Sequence, residues 1–125
     1  DLHVEVAPVD FDEMSADREG ESSSDVRSRV VRARERQGTR FSDTETHCNA
    51  QMGAQGVQAH CEIDESGEDL LRTATDRLGL SARGYTRILK VARTVADLEG
   101  AGTIQPNHVS EAIQYRSLDR DWWNG

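Results

Sequence analysis

The stretch "LSARGYTRILKVARTVADL", residues 80–98, can hardly fold as anything but a helix with one side buried. Tyr85, Ile88, Leu89, Ala92, Val95, Ala96 and Leu98 recur at helical spacing and define an apolar face. Arg83, Arg87 and Lys90 stand at i, i+4 and i+7, so they stack along another face. Cations normally favour the C-terminal end of a helix, where the macrodipole is negative. Two arginines in the first two turns run against that preference. Either something anionic lies near this helix start, or a neighbouring acid pairs with them. On periodicity alone an ion pair to the preceding helix, through Asp76 for instance, explains them better than a ligand does.

The segments on either side supply more helices. Ser22 to Ser24 offer N-caps for a helix running to about Phe41, with Val26, Val30, Ala33 and Phe41 inward and Arg29, Arg32, Arg36 and Arg40 in a basic stripe. Residues 42–56 lack periodicity and read as a loop with at most one helical turn, and Val57 to Cys61 read as a short helix. "DESGEDLLRTATDRLG" reads as a third helix with acids in its first turn, Leu70, Leu71, Ala74 and Leu78 inside, and Gly79 as its stop. In the central stretch Ser81 is the natural N-cap, and Gly100 and Gly102 end the helix. "QPNHVSEAIQYRSL" is the last, with Pro106 in its first turn and Val109, Ala112 and Ile113 facing inward. The body is therefore expected to be an all-α helical bundle, without internal repeats.

The start of the chain is different. "LHVEV" alternates Leu2, Val4 and Val6 with polar residues, the period of a half-buried strand, and Pro8 ends it. No second strand follows to satisfy its backbone, so it reads as an orphan β-strand belonging to something larger. "SADREGESSS" is a polar linker. The expected division is residues 1–21 as strand and acidic linker, 22–120 as the helical domain and 121–125 as a tail holding Trp122 and Trp123.

Charge sharpens this division. The formal net charge is −8 over 125 residues, with 35% apolar and 5% aromatic content. Residues 1–25 hold nine acids and the single base Arg18, which accounts for the whole excess and leaves a neutral, arginine-rich body. The overall sign argues against non-specific nucleic-acid binding by the chain alone. No apolar run reaches the ~18 residues of a membrane span, and two cysteines are too few for a disulfide scaffold. A cytoplasmic protein with no membrane partner is expected.

No complete active site is legible. His47-Cys48 and His60-Cys61 are adjacent pairs, whereas structural zinc ligands stand two to four residues apart, so no metal site is assigned. There is no GxxxxGK[ST] phosphate loop, HExxH or Ser/His/Asp pattern. The arginine stripe of the first helix could touch phosphate, but such a stripe is more often a solvated face or one that pairs with nearby acids such as Glu35.

Taken together, "DLHVEV", "GESSSDVRSRVVRARERQGTRF", "NAQM", "LSARGYTRILKVARTVADLEG" and "HVSEAIQYRSLDR" resemble the C-terminal part of magnesium-chelatase-like AAA+ ATPases, of the ComM/YifB competence-protein branch. The resemblance covers essentially residues 1–120 and departs at Ala7, at Gly84 and in the "WWNG" tail. It implies that "LHVEV" is the last strand of an α/β nucleotide-binding core lying upstream, and that the helical body is the AAA+ lid. It implies a sensor-2 arginine in "LSARGYTRIL", which is Arg83, with Arg87 one turn later as the alternative. Both would contact ATP, and Arg83 would contribute to catalysis. ATP and Mg2+ are then cofactors of the full-length protein, with none bound by this chain alone, which is not expected to be an enzyme by itself. The implied partners are the α/β core, neighbouring subunits of a homo-oligomeric, hexameric ring, and DNA during remodelling. Two other readings remain: the same lid in a magnesium chelatase that inserts magnesium into a porphyrin, or a free-standing helical interaction or DNA-binding module.

Overall fold

The computed structural model describes residue 2 and residues 20–116. Among them the chain forms α1 (Ser23–Arg40), a 3-10 turn (Asn49–Gln51), α2 (Ala54–His60), α3 (Glu65–Leu78), α4 (Ala82–Glu99) and α5 (Pro106–Gln114). The described residues are thus an all-α bundle. The expected strand "LHVEV", apart from Leu2, and the tail tryptophans lie outside them. Among the described residues no helix is long and apolar enough to cross a membrane.

The helix boundaries follow local chemistry. Ser22, Asp64 and Ser81 each accept a hydrogen bond from a backbone N–H three residues on, at 3.1, 2.8 and 3.1 Å. α3 and α4 end on Gly79 and Gly100, whose φ of 63° and 85° place them in the left-handed region. α2 starts three residues before the expected Val57, because Gly53 caps it with backbone alone and leaves no side-chain signal.

α4 is the hub. It packs against α1, the 3-10 turn, α2 and α5, while α3 leans on α5. The core joins Leu71 of α3, Ile88, Leu89, Ala92 and Ala96 of α4 and Val109 and Ala112 of α5 with Phe41, Met52, Val57, Cys61 and Ile104. α3 comes close to α5 at Gly67, where a Cβ would sit 3.5 Å from Val109 Cγ2 and 3.2 Å from Ile63 Cβ.

Several inward assignments are corrected. Val26 and Val30 are 40% and 44% exposed, because the first half of α1 extends beyond the bundle formed by the other described helices. Leu70, Tyr85 and Leu98 are also exposed. For Tyr85 and Leu98, the neighbours of α4 cover a narrower arc than its apolar residues span. Burial instead claims Gln37, Asn49, Arg93, Asp97 and His108, none of them expected inside.

Candidate functional site

The arginines at the start of α4 border a groove of about 910 Å³. Its lining combines three cations, Arg83, Arg87 and Lys90, with apolar Val91, Val95 and Leu98. At 100° per residue these positions share one flank of α4, turned away from Ala92 and Ala96 in the core. Arg83 follows the N-cap by two residues and is exposed. Its side chain makes no hydrogen bond or ion pair among the described residues, with Asp76 or any other acid. The first turn of α4 contains no acid. The positive end of the helix dipole and an uncompensated guanidinium therefore coincide, an arrangement that attracts an anion. Arg87 and Lys90 are half-buried, and Lys90 Nζ donates to the Ala50 carbonyl at 3.3 Å.

What holds that flank in place is a buried polar knot on the adjoining side of α4. Asp97, 2% exposed, receives a two-pronged contact from Arg40, Nη1 to Oδ2 at 2.8 Å and Nη2 to Oδ1 at 2.6 Å. Arg93 pairs with it at 3.2 Å and donates Nη2 to the Ala101 carbonyl at 2.9 Å. Asn49 Nδ2 donates to Asp97 at 2.9 Å and to Thr94 Oγ1 at 3.0 Å, and Asn49 Oδ1 accepts from Arg40 at 3.0 Å. The Asn49 backbone N–H donates to Gln37 Oε1 at 2.9 Å. Burial pushes the Asp97 carboxyl upward, yet hydrogen bonds from Arg40 and Asn49 and the charges of Arg40 and Arg93 outweigh it, holding the group below its ordinary range.

This knot gives "NAQM" its structural role. Asn49 links α1 to α4, Ala50 lines the groove beside Lys90, and Met52 enters the core. A second tie fixes α5. Buried His108 accepts the Gln105 backbone N–H on Nδ1 at 2.8 Å, which leaves Nε2 to donate to Glu99 at 2.5 Å.

Cys61 lies in the core, where burial pushes its thiol up to about 11, and Cys48 is half-buried. Among the described residues no three His, Cys, Asp or Glu side chains gather as a metal site would require.

The chain's relationships agree with this architecture. Residues 20–116 match the family model described as magnesium chelatase, subunit ChlI C-terminal. The chain belongs to that family. Among its similar proteins is the uncharacterised protein YifB of Salmonella typhimurium, 41% identical over 101 residues, which are 81% of this chain and 19% of the relative. Competence protein ComM of Haemophilus influenzae is 38% identical over 122 residues, 96% of this chain and 23% of the relative. An uncharacterised protein of Mycobacterium tuberculosis is 34% identical over 116 residues, with 93% and 23% covered. The chain thus corresponds to the C-terminal part of a ComM/YifB-type protein and spans about a fifth of these relatives' length. In this magnesium chelatase C-terminal domain, the cationic groove is the best-formed candidate site.

Proposed function

We propose that the chain is the helical lid of a AAA+ ATPase, and that Arg83 senses from the start of α4 whether ATP is bound. The observation that carries this reading is the unpaired, exposed Arg83 guanidinium at the positive end of α4, beside Arg87 and Lys90 in one groove. The charged groups lining the groove are all cations among the described residues and suit phosphate oxygens, and a forked guanidinium suits them better than an ammonium. No carboxylate joins it, so Mg2+ and the rest of the nucleotide would be held by an α/β core elsewhere in the longer protein. ATP would supply the phosphoanhydride bond whose cleavage drives the ring.

The role of Arg83 is to hold the terminal phosphate before hydrolysis and to lose that contact afterwards. A charge-assisted bond contributes about 1.5–3 kcal/mol, enough to shift the lid between two orientations by roughly tenfold to a hundredfold. The α1–Asn49–Asp97 knot would make α4 and the lid turn together. In a homo-oligomeric ring each lid would pass that turn to its neighbour. Similarity to a competence protein favours DNA remodelling as the output, whereas the family description favours magnesium insertion into a porphyrin as the second reading.

Full-length protein tests both parts. Arg83→Ala should cut ATP turnover tenfold or more, Arg83→Lys should restore it partly, and Arg87→Ala should do less. Unchanged turnover in Arg83→Ala would remove the sensor assignment. Nucleotide-dependent unwinding of branched DNA supports the first output, and ATP-dependent metallation of a porphyrin without unwinding supports the second.

A further inference from the structure

The arginines of α1 stand apart from the groove. The helix carries Arg27, Arg29, Arg32, Arg34, Arg36 and Arg40 against only Asp25 and Glu35. The fold consumes Arg40, in the contact to Asp97. Arg29 meets Glu21 in an exposed pair, which contributes little and exchanges readily. Arg36 has only a long 3.4 Å bond to the Gly100 carbonyl. Arg32 makes no hydrogen bond or ion pair among the described residues. Every residue from Glu21 to Arg32 is exposed, so roughly 15 Å of helix stands clear of the bundle.

Arg29, Arg32 and Arg36 lie within about 60° of one another around the axis and span about 10 Å along it. Duplex DNA presents one charge per ~1.7 Å of its axis, so about six phosphate charges pass this face. Around the arginines the face offers Asp25 and Thr39, with Glu35 beside Arg32 and Arg36, and no aromatic or large apolar side chain. A protein partner would need an apolar anchor there, whereas phosphate backbone needs only cations. Without an aromatic the face offers bases no stacking platform, which leaves the phosphates as its main contact. Counted on the helix itself the charge is positive, six arginines against Asp25 and Glu35, although the formal net charge over the chain is −8.

We propose that the Arg29–Arg32–Arg36 face of α1 binds the phosphate backbone of a nucleic acid without reading its sequence. Its use in the ring rests on the DNA-remodelling reading, but the binding itself rests on α1 alone.

The test is fluorescence anisotropy of a short labelled duplex with the 125-residue chain at low salt. Affinity should fall with rising salt at a log–log slope of about −2.7 for three neutralised phosphates, and a duplex of scrambled sequence should bind within twofold. Arg32→Gln/Arg36→Gln should weaken binding at least tenfold and reduce the slope by about two, with helical circular dichroism unchanged. Arg72→Gln/Arg77→Gln, with the same charge change on α3, should leave affinity within twofold, and Arg32→Lys/Arg36→Lys should keep most of it. Equal losses in the α1 and α3 variants, or no loss in either, would overturn the proposal. So would tighter binding of polyglutamate, in competition with the duplex, since the face would then be a dock for acidic protein. If the chain binds duplex through α1 while the full-length ring remodels no DNA, this inference stands and only the remodelling reading fails.

Discussion

Asp97 is a carboxylate in a place where a carboxylate is costly. Removing one partner of a buried ion pair leaves the others uncompensated, at a cost of about 3–5 kcal/mol. Asp97→Asn strands Arg93, 4% exposed, and half of the Arg40 fork, so chemical denaturation near neutral pH should show a loss of that size. The pH dependence follows from the sign of the shift. The folded-state carboxyl sits below its ordinary 3.8, so its contribution is complete above that value and is lost as pH falls through the lower folded value. The gap between parent and Asp97→Asn should therefore narrow in melts taken progressively below pH 3.8, and a constant gap would assign the loss to packing instead. Arg83 should behave oppositely. As an exposed, unpaired cation it contributes about 0–1 kcal/mol, so Arg83→Ala should melt within a few degrees of the parent, and a collapse would make it structural. The two positions differ in how far the sequence revealed them. The odd placement of Arg83 stood out locally. Arg93 and Asp97 have the i,i+4 spacing of an ordinary surface pair, yet they interrupt a run of Leu89, Ala92 and Ala96, and that interruption was the available signal.

At the scale of elements, starts and stops were readable because they are made by neighbours in sequence. Ser22, Ser81, Gly79, Gly100 and Pro106 act where the sequence places them. Which face is covered depends on the other helices, and there α1 was misread. Ala33, Gln37 and Phe41 are buried, while Val26 and Val30 continue the same seam without a partner. A substitution on the overhang should then be almost silent, whereas crowding the seam should not. Val30→Ser should change stability by no more than about 0.5 kcal/mol, while Ala33→Leu should cost about 1–3 kcal/mol through overpacking. Paired denaturant titrations decide between them, and equal effects would mean that the whole of α1 packs. Gly84 offers a gain: a Cβ there meets Leu80 Cδ2 at 3.4 Å and Ser81 Oγ at 3.6 Å, ordinary contacts. Gly84→Ala should raise stability by about 0.5–1 kcal/mol by removing glycine's entropic cost.

Over the whole molecule, polar groups divide into those that hold the bundle together and those left facing outward. Arg40, Arg93 and Asn49 converge on the single carboxylate of Asp97 inside, while Arg83 remains available at the groove. Cations alone can bind a triphosphate, but they cannot position an attacking water or coordinate Mg2+, which phosphoryl transfer requires. No group of acids able to hold a metal exists among the described residues. The purified chain incubated with Mg-ATP should accordingly release no phosphate above background. Triphosphate added without protein partners should still perturb backbone amide resonances of residues 82–90 at millimolar concentration, and Arg83→Ala should abolish that perturbation. Arg27→Ala, on the overhang, should leave it intact. Phosphate release that persists through repurification would mean that the chain contains catalytic machinery beyond this groove. Amide shifts that survive Arg83→Ala would mean that the anion is held elsewhere on α4. Silent chemistry with Arg83-dependent binding is the combination required of a lid, because such an element responds to a nucleotide that another domain hydrolyses.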